Sequence, residues 1–121
     1  MKSLAAAVAG LIAVGAVSAS AQGLPPLKGG EAVYKGLCQD CHMSDARGAV
    51  GAAAYPALAR NSKLETVGYP VAVVVHGQKA MPPFGAALND EQIADVVNYV
   101  RTHFGNSFKD RVTPADVKAA R

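Results

Sequence analysis

The chain has no tryptophan, 3 phenylalanines, 4 tyrosines and 2 cysteines among its 121 residues. Large side chains are therefore scarce, and a chain this short already buries under ~70% of the surface it exposes when unfolded. Charge is scarce too. Asp, Glu, Lys and Arg make up 17% of the residues, the net charge is +3, and there is no dense Lys/Arg cluster of the kind that tracks a phosphate backbone. Nucleic acid is excluded as a partner on that ground. The 12 glycines and 7 prolines follow no period and no segment repeats, which excludes a collagen-like or solenoid chain. An apolar content of 50% excludes a polar disordered one. What remains is one small domain, since domains usually run to roughly 100–200 residues.

The opening segment accounts for part of the apolar content. Met1 and Lys2 form a short basic start, and Leu4 to Val17 is an unbroken run of Leu, Ala, Val, Gly and Ile. Ala19, Ser20 and Ala21 supply the small-x-small pattern that a signal peptidase reads, so residues 1–21 are predicted to be an export signal cleaved after Ala21. The 14 residues of the run fall short of the ~20 needed to cross a bilayer, which argues against a retained anchor and against stable membrane insertion after cleavage. Cleavage leaves residues 22–121 with 11 basic residues against 9 acidic ones, a net charge of +2. A bulky buried cofactor would make up for the thin supply of core side chains.

Both cysteines lie in one segment, Cys38-Gln39-Asp40-Cys41-His42. This is the attachment pattern of c-type haem. Two thiols one helical turn apart can each form a thioether with a haem vinyl group, and the adjacent imidazole is then carried beneath the iron. Three other readings compete. A thioredoxin-like dithiol or a structural disulfide gives His42 no task, and no hydrophobic strand precedes Cys38. A zinc site would need His76 and His103, which lack the spacing of a His-x3-5-His pair.

A six-coordinate haem takes a second axial ligand from the opposite face, and a thioether sulfur raises the reduction potential. Met1 leaves with the signal and Met43 adjoins His42 on the proximal side. Met81 is the methionine left, 39 residues after His42, within Gly77-Gln78-Lys79-Ala80-Met81-Pro82-Pro83-Phe84. Consecutive prolines fix φ there and stiffen the loop. A core gap-filling role is the bland alternative for Met81. His76 is the rival distal ligand, although it closes the apolar run Val71 to Val75 where a histidine commonly caps a helix end. His103 is expected deep in the last long helix and partly exposed.

These residues resemble a monohaem class I c-type cytochrome along nearly the whole of residues 22–121. Gly30 and Tyr34 precede Cys38 at steps of four and resemble the glycine and aromatic of that family's first helix, with Tyr99 as the aromatic of its last helix. The resemblance implies an all-α cytochrome c fold of three to five short helices around one covalently attached haem c. Tyr55-Pro56-Ala57-Leu58 is similar to the family's Gly-Pro-x-Leu segment, with Tyr55 in place of the glycine. It implies that the Pro56 carbonyl accepts the second N–H of the proximal imidazole and that Leu58 packs at the haem. Arg60 would pair with a haem propionate.

The expected elements follow the same line. A first helix runs from about Gly29 to Gln39, irregular chain from Ser44 to Ala54, and a short helix from about Arg60 to Glu65. Val71 to Val75 has the β-branched content of a strand, but the resemblance makes it the helix before the methionine loop. The last long helix starts at Asn89 with Gln92 at the capping-box position and carries Ile93, Val96, Val97, Val100 and Phe104 on one face before Gly105. Thr113, Pro114 and Asp116 start a short final helix.

The tail, the Met-Pro-Pro-Phe segment and the run Leu88 to Gln92 resemble cytochrome subunits and domains that serve periplasmic dehydrogenases with quinone or flavin cofactors. The expected function is periplasmic one-electron transfer without catalysis, from such a dehydrogenase toward a respiratory acceptor. Lys35, Lys63 and Lys79 would steer an acidic partner, or an uncharged patch around Ala80, Pro82 and Phe84 would dock one. A haem subunit locked permanently in a dehydrogenase complex, and a gas- or peroxide-binding protein with a labile distal methionine, are the alternatives.

Overall fold

Gly29, with φ 82°, turns the chain into its first helix. α1 (Gly30–Val33) passes without a break into a π-helical turn (Tyr34–Cys38) and then into α2 (Gln39–His42). The first helical run is thus longer than the expected Gly29–Gln39, and it loosens by one residue per turn just before the paired cysteines. Single π turns inside helices concentrate at functional sites. The run ends where Met43 adopts φ 69°, and the Tyr34 hydroxyl donates to the Met43 carbonyl at 2.7 Å. Burial pushes the Tyr34 hydroxyl up to about 12, so it stays a donor. The computed structural model describes residues 26–51 and 54–121, so the leader 1–21 and its cleavage after Ala21 lie outside the described residues.

Irregular chain was expected from Ser44 to Ala54, but a small hairpin forms there. β1 (Ala49–Val50) pairs antiparallel with β2 (Ala54–Tyr55), Ala49 opposite Tyr55. Alanine and glycine carry little strand propensity, so composition hides the pairing. Gly48 permits it. At φ 67° a Cβ on this residue would run into the Tyr55 carbonyl oxygen. The helix expected over Arg60–Glu65 contracts to a 3-10 turn (Ser62–Leu64) capped by the Asn61 side chain, which accepts from the Lys63 amide at 3.0 Å.

α3 (Gly68–His76) confirms the helical assignment of Val71–Val75. Pro70 falls within the first turn, where its missing N–H removes no intrahelical bond, and Gly77 at φ 74° ends the helix. α4 (Asp90–Thr102) begins with the reciprocal Asn89–Gln92 capping box and buries Ile93, Val96, Val97 and Val100. Phe104 does not continue that face. The helix ends at His103, and Phe104 at φ 57° swings back so that its ring lies 5.0 Å from Tyr34 and 5.6 Å from Tyr99. His103 is consequently an exposed helix terminus stacked on Tyr99 at 4.2 Å, not a residue deep in α4. α5 (Pro114–Ala119), capped by the Thr113–Asp116 box, anchors on α4 through fully buried Val117.

The frame is the crossing of α1 on α4. A Cβ on Gly30 would run into the Asp95 carbonyl oxygen and stand 2.5 Å from the Tyr99 Cβ, so the two backbones touch because residue 30 has no side chain. Gly30→Ala should force the helices apart at a cost of about 1–3 kcal/mol, the usual range for overpacking. Urea unfolding of the holoprotein checks this as a lower midpoint at unchanged slope.

Buried polar side chains, Arg101 and Asn106 among them, stitch the loops to α4. Arg101 is completely buried. Its Nε donates to the Leu64 carbonyl at 2.8 Å, Nη2 to the Glu65 carbonyl at 2.8 Å and to the Asp110 carboxylate at 2.6 Å, and Nη1 to the Asp110 carbonyl. The side chain of Asn106 donates to the carbonyls of Leu58 and Val100, at 2.8 and 2.7 Å, and accepts from the Asn61 amide at 2.9 Å.

Candidate haem site

The π turn delivers Cys38 at its last position, and α2 places Cys41 and His42 on the next turn. Both thiols are free and half-buried. Burial, with the Cys41 thiol beside it, pushes the Cys38 thiol up to about 11. Among the described residues, no group of three or more His, Cys, Asp or Glu side chains is arranged to hold a metal ion.

His42 is buried, and its Nδ1 lies 2.9 Å from the Pro56 carbonyl oxygen. A carbonyl only accepts, so Nδ1 donates, and in the neutral ring the lone pair lies on Nε2. Nε2 has no hydrogen-bond partner among the described residues. The His42 carbonyl in turn accepts from the Gly48 amide at 3.0 Å, so the hairpin hangs from the same residue at both ends. Leu58 is half-buried against the core, and its amide donates to the Ala46 carbonyl at 2.7 Å. Tyr55 is the last residue of β2, and exposed Pro56 follows directly. Arg60, at φ 49°, is exposed and lies along Gly105, with its amide bound to the Phe104 carbonyl at 3.1 Å.

Met81 is half-buried and closes a tight turn. Its amide donates to the Gln78 carbonyl at 2.9 Å, and the Gln78 amide donates back to the Met81 carbonyl at 3.1 Å. Gly77 makes room for this turn, since a Cβ there would stand 2.6 Å from the Met81 carbonyl oxygen. The amides of Phe84 and Gly85 then donate to the Val74 and Val75 carbonyls at 2.8 and 3.1 Å, laying the loop back along α3. His76 is engaged elsewhere, with Nε2 2.6 Å from the Ala120 carbonyl oxygen.

The donor set suits a c-type haem: two free thiols one turn apart, an imidazole with one nitrogen fixed and the other free, and a methionine on a braced loop. A family model described as "Cytochrome C oxidase, cbb3-type, subunit III" matches residues 25–100. The chain belongs to this cytochrome c family. Its fold is accordingly the mostly helical cytochrome c fold, its cofactor is covalently attached haem c, and its chemistry is haem electron transfer. The cytochrome c subunit of a quinone alcohol dehydrogenase from Gluconacetobacter polyoxogenes is 36% identical over 105 residues, covering 76% of this chain and 22% of that protein. A fructose dehydrogenase cytochrome subunit from Gluconobacter japonicus is 33% identical over 93 residues, covering 64% and 19%. A gluconate 2-dehydrogenase cytochrome c subunit from Pantoea cypripedii is 54% identical over 41 residues, covering 34% and 9%. This cytochrome c domain thus spans about a fifth of the length of the first of these relatives. Among its described residues, no helix is long and apolar enough to cross a membrane.

The buried polar residues Arg101 and Asn106 were not anticipated. Arg101 left a signal, because it falls eight residues after Ile93 and four after Val97 on the apolar stripe of α4. Asn106 left none, since its three partners are set by loops that meet only in the folded chain.

Proposed function

We propose that this domain is a periplasmic one-electron carrier. Residues 1–21 direct its export, and residues 22–121 form the working domain. The observation that carries the proposal is the His42 Nδ1 contact with the Pro56 carbonyl, which leaves Nε2 free to ligate iron. Haem c, when bound, supplies reversible Fe(III)/Fe(II) exchange of a single electron. Cys38 and Cys41 tether it through thioethers, His42 is the proximal ligand and Met81 the distal one. The Pro56 carbonyl fixes the imidazole tautomer and raises its basicity, while the Met81 sulfur favours the reduced state. Leu58 packs at the ring and Arg60 pairs with a propionate. Held by His42 and Met81 together, the iron would offer no open site to an external oxidant, and the domain would carry electrons without catalysing a reaction.

The donor is a quinone- or flavin-dependent dehydrogenase and the acceptor a respiratory protein. The names of the alcohol, fructose and gluconate dehydrogenase subunits support the donor assignment. The same names favour a second reading, in which the domain is a fixed subunit of its dehydrogenase. The two differ in partner lifetime, and co-purification with a larger flavin or quinone protein would establish the subunit.

Visible spectra of the exported protein, oxidised and reduced, followed by denaturing extraction, test the proposal. Haem should stay with the polypeptide, both states should be low-spin, and mass spectrometry should place the first residue at Gln22. Extractable haem or a five-coordinate spectrum would overturn the carrier assignment.

A further inference from the structure

The loop bearing Met81 leaves α3 after His76 and regains regular structure at Asp90. One end is tied to Ala120 and the other to Arg121, its neighbour in the chain. At the near end, His76 Nε2 meets the Ala120 carbonyl oxygen at 2.6 Å. At the far end, the Arg121 guanidinium donates to the carbonyls of Gly85 and Leu88, the latter at 2.9 Å, and meets the Asp90 carboxylate at 2.5 Å. The Arg121 and Asp90 side chains are only 33% and 32% exposed, so this is not a fully solvated pair of the kind that contributes little. Arg121 also spends two of its donors on loop carbonyls, which ties backbone rather than another mobile side chain.

The two residues are themselves fixed to the core. Val117 of α5 is fully buried, and the Ala120 amide donates to its carbonyl at 3.0 Å. Between the tied ends, the loop is held by its own Gln78–Met81 turn and by the Phe84 and Gly85 bonds to α3. Moving the backbone that carries Met81 away from α3 requires breaking bonds at both ends of this segment.

We infer that Ala120 and Arg121 form a clasp that keeps the Met81 loop closed, making Arg121 a positioning residue for the distal ligand. The inference rests on the His42/Met81 ligation proposed above. A competing ligand reaches the iron only in the open form, so its apparent affinity scales with the population of that form.

The test compares wild type, Arg121→Met and Arg121→Lys as oxidised holoproteins. Arg121→Met keeps an unbranched stem without donors, and Arg121→Lys keeps a charge opposite Asp90 but loses the fork that reaches two carbonyls. Imidazole affinity reports distal opening, and amide hydrogen exchange at Phe84 and Gly85 reports the loop itself. In Arg121→Met, imidazole should bind about tenfold more tightly and the loop amides should exchange about tenfold faster, the factor that accompanies loss of one net charge-assisted hydrogen bond. Arg121→Lys should fall between the two. The amides of Ile93 and Val97 in α4 should not change. Wild-type affinity and exchange in Arg121→Met would overturn the clasp, and so would an equal acceleration in α4, which would mean general destabilisation. If wild type shows no methionine-to-iron band, the ligation proposal fails, and exchange at Phe84 and Gly85 alone decides the clasp.

Discussion

Met81→Ala is expected to lower the reduction potential of the holoprotein by on the order of 0.2 V, a quarter of the ~0.8 V range that axial ligands command. The thioether is a soft, neutral donor that favours the reduced iron, and alanine leaves that position to water or hydroxide, which favour the oxidised one. The substitution leaves the loop intact, because the Gln78–Met81 turn is made by backbone groups and Pro82 and Pro83 keep their stiffness. His76 is not released to take over, since its contact with Ala120 does not involve Met81. Potentiometric titration beside the oxidised spectrum is the check. A potential and a methionine-to-iron band equal to those of wild type would exclude Met81 as the ligand.

The largest effect on stability is expected at Arg101. Arg101→Met preserves much of the stem volume but strips donors from three backbone carbonyls, those of Leu64, Glu65 and Asp110. Burial of unpaired acceptors should cost about 3 kcal/mol in total, less than three full penalties because Glu65 and Asp110 are exposed enough for water to reach. For a domain of this size each kcal/mol shifts Tm by roughly 4–8 °C, so the loss should be on the order of 15 °C. Asp110→Asn is the informative partner. The Asp110 side chain is 65% exposed and asparagine keeps an oxygen to accept from Nη2, so the variant should lose less than Arg101→Met. Equal losses in the two variants would mean that the ion pair, rather than the cage of carbonyls, holds the loops to α4.

Legibility in the sequence followed the range over which each feature is encoded. The attachment segment Cys38–His42 and the capping box at Asn89–Gln92 are local, and both were readable from a few adjacent residues. α3 was readable only through the family resemblance, because its valines by themselves signal a strand. The Ala49–Tyr55 pairing was missed because small side chains leave no alternation to detect, and its cause is the positive φ of Gly48. Phe104 was placed on the α4 face because it keeps the helical period, yet the backbone departs one residue earlier and delivers the ring by a left-handed turn. The site shows the same division. The Cys38–His42 pattern lies in adjacent residues, while the bond from Asn106 to Leu58, 48 residues apart, depends on a separation that no motif spans.

The close approach of Gly30 to Asp95 and Tyr99 also sets an order of events in time. The partners that Gly30 meets across the helix crossing come some 65 positions later in the chain, and the Gln92 side chain closes on the Leu27 carbonyl across the same interval. Contacts of such separation form late, because the intervening loop must be closed before any of them is rewarded. Until α4 arrives, the helical run that carries Cys38–His42 lacks the surface against which Gly30 packs.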